Sequence, residues 1–139
     1  MADINLSSSM EDYIKTIYIL ENSNKVARVS DIGRRLNVKK ASVVAAVSYL
    51  QKNELIKHER YGFITLTEIG KEIAEKIDKK NHVIFSFLLD VLKIDREKAI
   101  DEACKAEHIF ADDTITKMAI LVKQNKKLFV KKPSKKSKK

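Results

Sequence analysis

Tryptophan is absent from this sequence, proline and cysteine occur once each, and glycine occurs three times. So little glycine and proline disfavours a turn-rich all-β chain and favours long helices. A single cysteine excludes an internal disulfide framework and fits a reducing, cytoplasmic setting. No apolar run approaches the roughly 18 residues of a membrane span, so no membrane partner is expected. The N-terminal MADINLSSSMEDY lacks a basic segment leading into an apolar one, and no signal peptide is expected. What the chain does have is core material and charge. Hydrophobic residues make up 44% of its 139 positions, enough for one domain, or a small domain with an appendage.

The formal net charge of +9 is unevenly spread. Lys123 to Lys139 holds nine lysines and no acid, so the remainder of the chain is neutral overall. Within that remainder, residues 25–60 carry nine Lys/Arg against three Asp/Glu, while residues 1–24 and 61–122 are each net −3. A basic segment of this kind is a candidate phosphate-binding surface. The terminal KKPSKKSKK reads first as a solvated, disordered tail.

Hydrophobic spacing places the elements. Ser7 to Ser9 can cap a helix that continues through Met10, Tyr13, Ile14, Ile17, Tyr18 and Leu20. Ser30 is the expected N-cap of a short helix, SDIGRRLN, with Ile32 and Leu36 inward. ASVVAAVSYLQKNEL follows, with Val43, Val47 and Leu50 on one face. LIKHERYGFITLT reads as two strands around a turn at Arg60–Gly62. A long helix is expected from Thr67 to Leu92 with an apolar stripe of Ile69, Ile73, Ile77, Ile84, Leu88 and Leu92. Another should run from Asp95 to Ile109, and a last one from Asp112 to about Lys126.

Helix, short helix, turn, helix and β-hairpin is the order of a winged helix-turn-helix. Its second paired helix enters the DNA major groove, and the wing tip reaches the backbone or minor groove. That helix opens here with Lys39, Lys40 and Ser42, and the wing tip carries His58, Arg60 and Tyr61. Arg28, in the same basic segment, completes the candidate DNA-contacting set. Taken singly, each is equally well a plain surface residue; the case lies in the order of elements and the local charge. The back half has more apolar surface than a lone small domain needs, which points to a homodimer on a palindromic duplex.

One stretch carries metal chemistry, DEACKAEHIFAD over residues 101–112. On a helix turning about 100° per residue, Cys104, Glu107 and His108 share a face. Sulfur, oxygen and nitrogen donors together suit a borderline divalent transition metal rather than Ca²⁺ or Mg²⁺. Spacing alone leaves a second reading open, a buried free cysteine beside a surface Glu–His pair. A catalytic thiol is a third, but no oxyanion donors or activating base can be named, and no enzyme activity is expected.

The segments SSMEDYIKTIYIL and DEACKAEHIFAD, with VSDIGRRLNVKKASVVAAVSYLQKNELI between them, resemble the diphtheria-toxin-repressor and manganese-transport-regulator family of metal-dependent repressors. The resemblance runs from about residue 7 to residue 125. It implies the short form without an SH3-like domain. It also implies a mainly α fold: a winged helix-turn-helix domain over residues 1–70, a helical metal-binding and dimerisation domain over 71–126, and a Lys-rich tail over 127–139. By the same resemblance Asp12, Cys104, Glu107 and His108 are the metal ligands. Asp12 matches the manganese branch and Cys104 the iron branch, so the implied metal is Fe²⁺ or Mn²⁺, with Zn²⁺ or Co²⁺ able to substitute in vitro. His82 matches a ligand of the family's second site. Lys15, Ser86 and Ile100 stand where other ligands of that site belong, which predicts one strong metal per chain. The resemblance implies a repressor that silences metal-uptake genes. The departures at the second site raise an alternative, a winged-helix DNA binder that has lost metal control. On the second paired helix, Ala41 and Ala45 replace a Pro and a Gln of the iron branch, and Val44 is apolar on or near the DNA face.

Overall fold

The computed structural model describes residues 5–23, 26–59 and 62–131, with backbone alone for 128–131. The chain divides into two compact units, Met1–Ile77 and Asp78–Lys139, each with its own apolar core. None of the helices among the described residues is long and apolar enough to cross a membrane.

In the first unit, α1 spans Ser8–Asn22 and is capped by Ser7, whose side chain accepts from the Met10 amide at 3.2 Å. α2 spans Val29–Leu36, its N-cap Arg28 standing two residues before the Ser30 that the sequence pattern predicts. Ser30 is therefore inside the helix, and the cap works differently: the Asp31 carboxylate reaches back to accept from the Arg28 amide at 3.2 Å. Asn37, in the left-handed region at φ 58°, ends α2. The turn closes with the Val38 amide donating to the Gly33 carbonyl at 3.0 Å, and α3 follows over Lys40–Lys52. The strands β1, Ile56–His58, and β2, Ile64–Leu66, pair antiparallel with Ile56 opposite Leu66. Gly62, at φ 87°, supplies the left-handed conformation the wing turn needs.

The core of this unit gathers Ile14 and Ile17 from α1, Ile32 from α2, Val43, Ala46, Val47 and Leu50 from α3, and Leu55, Ile56 and Ile64 from the hairpin. Two polar ties hold the wing. The Ile64 amide donates to the Ala27 carbonyl at 2.8 Å, and the Leu66 amide donates to the Glu21 carboxylate of α1 at 3.1 Å.

α4, Glu68–Ser86, begins at Thr67. The Thr67 hydroxyl accepts from the Gly70 amide at 3.1 Å and donates to the Glu54 carbonyl at 2.8 Å. Gly70 sits against the end of α3: a Cβ added there would overlap the Leu55 carbonyl oxygen. Alanine is the better helix former by about 1 kcal/mol, but the overlap is with backbone, which cannot rotate aside. Gly70→Ala is therefore expected to destabilise by about 1–3 kcal/mol, read as a lower urea midpoint at unchanged m-value.

The second unit starts within α4. The long helix of the sequence pattern is not α-helical to its end: after Ser86 it widens into a π-helical turn, Phe87–Val91. Lys93, at φ 58°, then turns the chain, and Asp95 caps α5, Arg96–Ala106. α5 stops three residues short of the expected Ile109. α6, Asp112–Lys131, runs five residues beyond the expected Lys126, so 127–131 are helical and not tail. The core here is Ile84, Ala103 and Ile115, flanked by Phe85, Leu88, Phe110 and Met118.

Candidate functional site

The end of α5 holds the candidate metal ligands of the second unit. Glu107 is the C-cap residue of α5, its amide still donating to the Ala103 carbonyl at 3.0 Å, and His108 is the next residue in the turn. Their side chains are 0% and 7% exposed, and His108 Nε2 lies 3.4 Å from Glu107 Oε2. Two donors on one ion, each about 2.1 Å from it, stand about 3.0–3.4 Å apart; the pair matches that spacing. A carboxylate and an imidazole are also the donor types that a borderline divalent metal accepts together.

Cys104 differs. It is exposed, and its Sγ accepts from Asn81 Nδ2 at 3.7 Å. The bland alternative of the sequence pattern, a buried thiol beside a surface Glu–His pair, is thus inverted: the pair is buried and the thiol is outside. The shared helical face is also only partial, because α5 ends at Ala106. Asp12 belongs to the first unit, half-buried on α1. His82 of the second-site pattern is 72% exposed and pairs with Asp78 at 3.4 Å. Ser86 ends α4, and Ile100 is exposed on α5.

The turn that carries Glu107 and His108 is held from α4. Lys80 Nζ donates to the Phe110 carbonyl at 3.0 Å and pairs with Asp112 at 3.4 Å. Sequence reading missed both Lys80 and Asn81. Their partners lie more than 20 residues away, and nothing in local spacing marks such a pair.

The DNA-facing candidates lie in the first unit. Lys39 caps α3, Lys40 opens it, and Ser42 is exposed in its first turn. Arg28 places its guanidinium 4.7 Å from the ring centre of Phe63 on the wing. Arg60 and Tyr61 lie outside the described residues. A cleft of about 540 Å³ opens between α2 and the wing, edged by Arg28, Arg34, Lys40 and His58 over a floor of Val29 and Val38. Four basic side chains around one concavity can take a phosphate backbone. Arg34 was not singled out from sequence, because its place on the cleft depends on how α2 meets the wing.

Residues 5–64 match the family profile described as "Iron dependent repressor, N-terminal DNA binding domain", and residues 67–133 match "Iron dependent repressor, metal binding and dimerisation domain". The chain belongs to the iron-dependent repressor family. Members of the iron-dependent repressor family are DNA-binding transcriptional regulators, not enzymes. An uncharacterized HTH-type transcriptional regulator of Methanocaldococcus jannaschii is 34% identical over 122 residues, which span 87% of this chain and 98% of that protein. The HTH-type transcriptional regulator MntR of Bacillus pumilus is 36% identical over 114 residues, 82% of this chain and 78% of MntR. Among solved structures, T. acidophilum IdeR matches with a TM-score of 0.71 at 26% identity, over 85% of this chain and 54% of that one. The manganese regulator SloR matches with a TM-score of 0.74 at 24% identity, over 82% of this chain and 53% of that one, a likeness of fold. The chain therefore spans about half the length of either solved structure.

Proposed function

We propose that this member of the iron-dependent repressor family senses Fe²⁺ or Mn²⁺ and represses metal-uptake genes from a palindromic operator, as a homodimer. The observation that carries the reading is the buried Glu107–His108 pair at metal-ligand spacing. Glu107 supplies a carboxylate oxygen and His108 an imidazole nitrogen. By the family resemblance, Asp12 would supply a second oxygen and Cys104 a thiolate sulfur. A bound divalent cation supplies the positive centre that lets these four donors act together. Because the donors belong to both units, ligation couples the metal site to the domain that carries α3. DNA affinity then rises with metal, and metal affinity rises equally with DNA. MntR of Bacillus pumilus, whose name marks it as a transcriptional regulator, is the relative this reading leans on. A manganese-dependent transcriptional repressor solved in complex with manganese shares this fold at 22% identity.

An anaerobic Co²⁺ titration of the reduced chain tests the site. The expected result is saturation at one metal per chain with a near-ultraviolet thiolate-to-cobalt band. Tight binding without the band would remove Cys104 from the ligand set. A second tight equivalent would overturn the single-site reading. No binding would leave a constitutive winged-helix DNA binder.

A further inference from the structure

The second half of α6 carries charge that its own unit does not neutralise. Lys123, Lys126 and Lys127 are all exposed there. Elsewhere in the unit lysines find acids: Lys80 pairs with Asp112, and Lys105 with Asp101. Lys123, Lys126 and Lys127 have no such partner among the described residues. The neighbouring sequence offers none either. From Thr114 to Lys139 it holds Lys117, nine more lysines from Lys123 onward, and no Asp or Glu. Lys123 and Lys127 stand four apart, and Lys131 is the next position at that spacing. Like charges at i and i+4 disfavour a helix. The helix macrodipole favours cations only within the last turn, which leaves Lys123, Lys126 and Lys127 without that reason.

Composition narrows the partner. The stretch from Lys123 onward has no Arg and a single aromatic, Phe129. That disfavours bidentate reading of guanine by Arg and stacking on unpaired bases. Lysine is a flexible point charge, suited to a dense row of phosphates, and duplex DNA presents one charge about every 1.7 Å of its axis. We propose that the Lys-rich segment from Lys123 onward is a second DNA-binding element, which holds the phosphate backbone of a duplex without regard to sequence. This rests on the DNA-binding reading of the first unit. The winged helix-turn-helix selects the site. The segment adds affinity through released counterions, equally on any sequence and independently of metal.

Two variants of the full chain test it. One combines Lys123→Gln, Lys126→Gln and Lys127→Gln; the other combines Lys132→Gln, Lys135→Gln, Lys136→Gln, Lys138→Gln and Lys139→Gln. Glutamine is about as good a helix former as lysine, and circular dichroism checks the first variant. Affinity is measured from about 50 to 200 mM salt, for a duplex selected from a random-sequence pool and for a random duplex, in Mn²⁺ and in chelator. Each lysine that holds a phosphate should, when replaced, remove about 0.9 from the slope of log K against log salt. The expected result is a slope shallower by about 2 or more in each variant, two contacts' worth. The loss should be the same on both duplexes, and the ratio of affinities in Mn²⁺ and chelator should not move. Slopes that match the wild type in both variants would overturn the inference while DNA binding stands. A loss confined to the selected duplex would also overturn it, because it would signal base contacts. Unchanged DNA slopes with lost binding to phosphatidylserine vesicles would assign the segment to an anionic membrane instead. A wild-type chain that retains no duplex, with or without metal, would overturn the DNA-binding reading itself and this inference with it.

Discussion

His108→Ala should leave a folded chain that binds DNA no better with metal than without. In the wild-type chain, metal is expected to raise operator affinity by about 5–150-fold, the usual range of coupling between two sites. His108 contributes the nitrogen donor of a pair whose oxygen partner stands 3.4 Å away, and alanine leaves that position without a donor. Glu107→Gln tests the other half with almost no change of shape: the amide keeps the volume but loses the charge that a divalent cation needs. Both variants should match the metal-free wild type in fluorescence anisotropy with a selected duplex, whatever the Mn²⁺ concentration. A variant that kept the metal enhancement would show that its residue is not a ligand. Both side chains are buried, so each variant needs a urea melt beside the binding curve. Loss of a buried hydrogen-bonding group costs about 1–3 kcal/mol, which a domain of ordinary stability survives.

Lys80→Met is expected to weaken Mn²⁺ binding by about 10–100-fold, although Lys80 is not among the proposed ligands. Its ammonium group ties α4 to the Phe110 carbonyl and to Asp112, and so anchors the short segment that follows Glu107 and His108. Methionine keeps much of the stem and removes the donor. The ligands remain, but the turn that aims them is no longer held. Lys80→Arg should recover part of the loss, because it restores a cation of similar reach. Metal-independent DNA binding should not move in either variant. A fall in stability with unchanged Mn²⁺ affinity would reduce Lys80 to a plain structural contact.

The first unit was largely legible in the sequence because its signals are local. Ser7 caps α1, Gly62 lies in the turn that separates two strands, and Thr67 caps α4; each depends on residues within a turn of one another. The errors came where two local signals competed. Ser30 looked like a cap, but Asp31 reaches the Arg28 amide and α2 starts two residues sooner. In the motif around Cys104, the residue types were visible but their exposure was not. Spacing puts three donors near one face; only the end of α5 at Ala106 shows that Glu107 and His108 turn inward while Cys104 stays outside. Lys80, Asn81 and Glu21 act on backbone or sulfur far along the chain, and no periodicity announces such contacts.

The π-helical turn at Phe87–Val91 has a consequence for how this chain should be aligned with others. A turn closed by i→i+5 bonds holds one residue more than the α-helix around it. The apolar heptad-like phase that leads from Ile77 to Ile84 therefore slips, and Leu92, which the unbroken count would put inside, is 50% exposed. In a relative whose helix stays α-helical here, one position should be missing between 87 and 91, and the residue matching Leu92 should be found one place earlier in the count. Deleting a single residue from this turn would be expected to rotate everything up to Lys93 by about 100° relative to α4, a frame error written in angle and not in codons.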